Sequence, residues 1–147
     1  MADIAALLSA TKTVLLVDWP SRDVPDTLAR HGFTVISDEG PRSSAYMAYE
    51  ADRDEVRVRP LEGPPATADL VYAHRPIDEL PGIVETAKRL GVRAVWLQSG
   101  RDSSGAKDPL GVSLPQEESR KAREIVESAG LTYLDAPYIV DAVRARG

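Results

Sequence analysis

Arg75 is the side chain in this sequence best placed to hold an anion. It follows the apolar run Leu70–Ala73 and precedes Pro76, so it falls where a strand gives way to a helix. Backbone N–H groups and the dipole at a helix N-terminus favour negative charge. The planar guanidinium matches two phosphate oxygens at once. The competing assignment is an ion pair with Asp78 or Glu79. His74 beside it reads either as a ligand contact or as a strand-end histidine bonded to backbone. No Ser-His-Asp or Cys-His spacing accompanies it, so nucleophilic catalysis has no basis here.

Three further groups stand at expected strand ends. Asp18, Trp19, Pro20, Ser21 and Arg22 follow the run Lys12–Val17. Gln98, Ser99 and Gly100 follow Val92–Leu97, and Asp135, Ala136 and Pro137 follow Leu131–Leu134. Trp19 offers a stacking face for an adenine ring, or packing for its own loop. An acid such as Asp18 can serve as a nucleophile or magnesium ligand, but no second acid stands at short spacing. Arg57 and Arg59 share a face if their segment is a strand, as a phosphate-binding pair or as a solvated surface. Trp96, inside a strand, is expected in the core. The stretch Val17–Ser21 contains no glycine, and Pro20 lacks an N–H. A glycine-rich dinucleotide loop in the manner of G-x-G-x-x-G is therefore excluded at this position.

These groups need a scaffold, and the chain alternates strand-like and helix-like runs. Expected helices are Met1–Ser9, a segment capped by Ser21 or Asp23 and stopped at Gly32, Pro76–Leu90, Leu114–Ala129 and Tyr138–Arg146. Expected strands are Lys12–Val17, Phe33–Ile36, Leu70–Ala73, Val92–Leu97 and Leu131–Leu134. Tyr46–Pro60 reads as a two-stranded excursion or an edge strand, Ser37–Ser44 as turns, and Ser99–Ser113 as a long loop. The alternation implies an α/β fold with a parallel sheet covered on both faces. Ligands of such sheets bind outside the carboxyl ends of the strands, where strand order reverses.

Composition sets the outer limits. The 147 residues, 43% hydrophobic and 28% charged, suit one domain over residues 1–147. There is no cysteine, which removes disulfides and thiolate chemistry; two histidines are too few for a multi-histidine metal site. A net charge of −5 disfavours nucleic acid as a partner. No apolar run approaches the ~20 residues that span a bilayer, and no signal peptide opens the chain. A cytoplasmic location with no membrane partner is the expectation.

The ordering of segments is similar to that of the small bacterial CoA-binding proteins. These are stand-alone Rossmann-like domains related to the CoA-binding part of succinyl-CoA synthetase α subunits. The likeness covers roughly Ile4 to Asp141. Asp3–Leu8 with Lys12–Val17 resembles the family's leading helix and first strand. Asp69–Arg75 resembles its third-strand segment, and Gly91–Gly100 its "GAKAVWLQxG" segment, the most specific of the three. The resemblance implies a three-layer sandwich around a five-stranded parallel sheet of order 3-2-1-4-5. It also implies CoA over the strand carboxyl ends, with Arg75, Gln98 and Gly100 on family site positions. Two departures stand out: Asp18 replaces the glycine that follows the first strand in the family, and the first loop is shorter.

The expected function is non-catalytic binding of CoA, an acyl-CoA or a related adenine nucleotide. The expected contacts are Trp19, Ser21, Arg22, His74, Arg75, Gln98 and Gly100, with no catalytic residue and no metal. The alternative is a degenerate member that has lost CoA and works through protein contacts, as a homodimer or with an acyl-CoA enzyme. An enzyme using Asp18 with a metal is a third reading.

Overall fold

The computed structural model describes residues 4–17, 23–38, 46–53, 55–75, 77–97, 116–135 and 139–146. Among these residues seven strands form one sheet: β1 (Thr13–Val17), β2 (Thr34–Asp38), β3 (Tyr46–Ala51), β4 (Val56–Leu61), β5 (Leu70–Ala73), β6 (Ala94–Leu97) and β7 (Thr132–Leu134). Five α-helices among the described residues accompany them: α1 (Ile4–Ala10), α2 (Asp23–Arg30), α3 (Leu80–Leu90), α4 (Gln116–Ser128) and α5 (Ile139–Arg146). The α/β class and the five anticipated strand regions agree with the sequence reading.

The sheet corrects two expectations. It is mixed rather than parallel, and its order is β4-β3-β2-β1-β5-β6-β7. The segment Leu70–Ala73, the third strand of the sequence reading, lies against β1 and not beyond β2. The outer place belongs to β3, which returns antiparallel along β2 and pairs in turn with β4. The chain spends its connection from β2 on a hairpin, then crosses to the far side of β1. Winding therefore reverses between β1 and β5, which makes their carboxyl ends the switch point of the sheet. Pairing of Val17 with both Asp38 and Ala73 sets the ends of three strands abreast.

Strand burial follows from this order. β5 and β6 are buried at every position, as the middle of a sheet covered on both faces demands. β4, on the edge, is mostly exposed. Alternate side chains feed two cores. Val14, Leu16, Val35, Tyr72 and Trp96 pack toward Val24 and Leu28 of α2 and Ile139 and Val143 of α5. Leu15, Ile36, Val71, Val95 and Leu97 pack toward Leu80, Val84 and Ala87 of α3 and Ala122 and Val126 of α4. Trp96 is fully buried, as expected, and meets Tyr72 edge-on at 5.5 Å between ring centroids.

The third helix begins later than its sequence suggested. Ile77–Glu79 form a 3₁₀ turn, and α3 starts at Leu80 with Pro81 in its opening positions. Proline has no N–H to lend to the ladder, so it is tolerated only there. The helix ends at Gly91, whose φ of 77° is a left-handed conformation that glycine adopts without a Cβ clash.

Asp69 ties the starts of two strands together. Its Oδ2 accepts hydrogen bonds from the Lys12 N–H at 2.9 Å and the Thr13 N–H at 3.0 Å, beside the Arg93 guanidinium. The Thr13 bond, then the Lys12 bond, hold its carboxyl below the ordinary value of 3.8. A lowered folded pKa means stability that is present above the unfolded pKa and is lost as pH falls through the folded one. Asp69→Asn is expected to cost about 1–2 kcal/mol at pH 7, the scale of a charge-assisted hydrogen bond. Urea melts at pH 7 and below pH 3 check this: the gap from the parent protein must close at the acidic end.

Candidate functional site

A cavity of about 520 Å³ opens at the switch point. Its floor is apolar and comes from Leu15 and Val17 of β1 and Val71 of β5. Gly82, Ile83 and Thr86 of α3 form a wall. Asp38 at the end of β2, Arg75 after β5, and Asp78 and Glu79 before α3 supply the charge. An apolar floor with a few convergent polar groups is the usual make-up of a small-molecule site.

Each lining group follows from its local structure. Strand alternation sends Leu15, Val17 and Val71 to the α3 side, and the parallel register brings Asp38 level with Val17. Asp38 also lies opposite Tyr46 in the antiparallel pairing of β2 with β3. Burial and then the Asp38 charge raise the pKa of the Tyr46 hydroxyl, while Arg89 acts against them.

Arg75 makes the ion pair offered by its sequence and also lines the cavity. Its Nη2 donates to Glu79 Oε2 in an i, i+4 ion pair, and it lines the cavity with a side chain only 19% exposed. A guanidinium carries five donors, and the pair with Glu79 uses the Nη2 end of the group. The His74 backbone N–H donates to the Val17 carbonyl at 3.0 Å, and His74 is not among the cavity-lining residues. Trp19, Ser21, Arg22, Gln98 and Gly100, with Asp18, lie outside the described residues.

The other candidate groups have structural partners. Arg57 and Arg59 do share a face of the hairpin, but both are exposed and paired: Arg57 with Asp52 and Glu55, Arg59 with Glu50. Exposed pairs of this kind contribute about 0–1 kcal/mol, and the arrangement is a solvated surface. Asp135, at the end of β7, accepts from the Ser119 hydroxyl and from the Tyr133 hydroxyl at 3.1 Å. Burial, then the Asp135 charge, push the Tyr133 hydroxyl well above its ordinary pKa, so it stays a donor. Among the described residues no group of three or more metal-binding side chains occurs, and no helix is long and apolar enough to cross a membrane.

Of the lining residues only Arg75 was a site candidate in the sequence, with Asp78 and Glu79 named as its ion-pair partners; Asp38, Gly82, Ile83 and Thr86, and the strand residues Leu15, Val17 and Val71, were not anticipated. Asp38 carries a signal, an acid closing the second strand of a β-α-β unit, where such folds hold a ribose. The apolar pattern ends that strand at Ile36, two residues too early to include it.

Comparison with known proteins adds the family. A model described as a CoA binding domain matches residues 16–141. No curated protein matches. The structure of cell-free ID.343 from Thermus thermophilus superposes with a TM-score of 0.56 at 23% identity, over 97% of this chain and 95% of that one. At that identity the likeness speaks for the fold.

Proposed function

The chain belongs to the CoA binding domain family, and from that premise we propose that it binds CoA, an acyl-CoA or a related adenine nucleotide. The role is binding without turnover, by one domain of 147 residues. The observation that supports this reading most is the coincidence of family and geometry. The cavity lies at the reversal of strand order, where nucleotide ligands of open α/β sheets bind. Arg75 would meet the phosphates, and Leu15, Val17 and Val71 would take the apolar face of the base or pantetheine. Trp19, Ser21, Arg22, His74, Gln98 and Gly100 complete the proposed contacts from neighbouring strand ends.

Thermal melting with CoA, acetyl-CoA, ADP and NAD tests the proposal. A ligand at about 100 times its Kd stabilises by ~2.7 kcal/mol, which is roughly 5–10 °C for a chain of this size. Arg75→Ala is expected to weaken nucleotide binding by about tenfold to a hundredfold, the value of a lost charged hydrogen bond. An unchanged affinity would remove Arg75 from the site.

One sequence feature favours a second reading. Asp18 and a glycine-free stretch follow β1, where a pyrophosphate would need backbone donors and no negative charge. On that reading the domain has given up its nucleotide and works through protein contacts. Absence of any shift at millimolar ligand would select it.

A further inference from the structure

We propose that β4 pairs with β4 of a second copy of this chain, joining two sheets edge to edge about a two-fold axis. The proposal is independent of the nucleotide reading. β4 closes one side of the sheet and has no neighbour beyond it among the described residues. The hairpin turn fixes which backbone groups face outward. The Asp52 N–H donates to the Glu55 carbonyl at 2.9 Å, so that facing pair is hydrogen-bonded. Bonded and unbonded pairs alternate along an antiparallel ladder. Ala51–Val56, Tyr49–Val58 and Met47–Pro60 therefore fall on unbonded pairs. The N–H and C=O groups of Val56 and Val58 then point away from β3. Pro60 fits this assignment, because β3 takes no N–H from its position. The side chains add an apolar strip. Tyr49 and Val56 pack toward the α2 core, and alternation puts Val58 and Pro60 on that same face. Val58 is the one large apolar side chain exposed among the described residues, at 39%.

The same residues choose the partner and the register. A symmetric antiparallel pair must match outward residues with outward residues. With Val56 opposite the partner's Val58, both outward N–H groups of each strand meet a carbonyl. The valines of the two copies then form one apolar row, in the β-branched cross-strand pairs that stabilise sheets. Arg59 stands opposite the partner's Glu55, a pair of opposite charge that the symmetry repeats. Sliding the strands to set Val58 against itself would place Val56 opposite Pro60, which has no N–H, and Arg57 opposite Arg59. Sliding the other way would carry Val58 past Val56, where the partner strand begins. In the favoured register Arg57 meets its own symmetry mate on the axis. That like-charge contact is tempered by Asp52 and Glu55, which both lie against the Arg57 Nε. A short contact with like charge on its axis makes a transient dimer.

The chain has no cysteine, so single introduced thiols report the register. Arg57→Cys puts two thiols on the axis in an unbonded pair, whose Cα atoms stand ~4.5 Å apart, inside the range of a disulfide. Arg59→Cys leaves its two thiols about 14 Å apart along the strands. Glutathione disulfide is expected to turn Arg57→Cys into a covalent dimer about tenfold faster than Arg59→Cys, or better. Sedimentation of the parent protein at up to about 1 mM is expected to show monomer and dimer in equilibrium. Val58→Pro removes half of the intermolecular hydrogen bonds and none of those to β3, so it should sediment as monomer alone. Val58→Lys provides a second variant should proline disturb the hairpin. A parent protein that is monomeric throughout would overturn the second copy as the occupant of this edge. A dimer that survives both Val58 variants would overturn β4 as its surface. Equal cross-linking of the two cysteine variants would overturn the register.

Discussion

Trp96→Ala will destabilise the protein by about 3–5 kcal/mol, the cost of emptying a fully buried indole site. That is a large part of the 5–15 kcal/mol typical of a domain, and corresponds to roughly 10–15 °C in Tm. The indole is 0% exposed on a strand with no exposed position. It contacts Tyr72, whose hydroxyl accepts from the Ile139 N–H at the start of α5, so the cavity would open beneath a helix terminus. Trp96→Phe behaves differently. Trp96 Nε1 is buried with no hydrogen-bond partner among the described residues. An unmet buried donor costs about 1–3 kcal/mol, and phenylalanine removes it while keeping most of the ring. The lost volume and the recovered desolvation are of similar size, so Trp96→Phe should melt within about 1 kcal/mol of the parent protein. Chemical denaturation of the two variants checks both statements. A loss as large for phenylalanine as for alanine would show that the ring's fit, not its polar atom, decides the energy.

The core was the most legible part of this molecule, for a reason visible in β5 and β6. Leu-Val-Tyr-Ala and Ala-Val-Trp-Leu are short continuous apolar runs between polar flanks, the mark of strands buried on both faces. Strand order was not legible, because nothing in Leu70–Ala73 says which neighbour it will take. That depends on where the preceding hairpin lies. Val56–Leu61 showed its strand period, but the path of Tyr46–Ala51 alongside β2 is a tertiary fact. The implied five-stranded order 3-2-1-4-5 does not occur: the place beyond β2 belongs to antiparallel β3, and the sheet has seven strands among the described residues.

The site divides in the same way. Arg75 was legible because a charge between an apolar run and a proline marks the passage from strand to helix. Ile83 and Thr86 were not, since they are ordinary helix residues that line a cavity through the angle at which α3 crosses the sheet. Asp38 lay between: its type was suggestive, and an early strand boundary concealed it.

Gly82→Trp is expected to abolish nucleotide binding, by about a hundredfold or more, while leaving the fold intact. Gly82 lies in the first turns of α3, exposed and lining the cavity. A Cβ built there meets nothing within 4 Å. Its φ is not left-handed, so no backbone requirement calls for glycine. A glycine inside a helix costs about 0.5–1 kcal/mol relative to alanine. That cost, with no steric or conformational reason behind it, makes sense if the space above Gly82 must stay open. Gly82→Ala should therefore raise Tm by a few degrees and change affinity by no more than about threefold. The indole of Gly82→Trp would fill space that the ligand needs, with Tm at or above that of the parent. Calorimetry and melting of the two variants separate occlusion from unfolding. Normal nucleotide binding by Gly82→Trp would place the ligand outside this cavity, and the proposed role of Arg75 would fall with it.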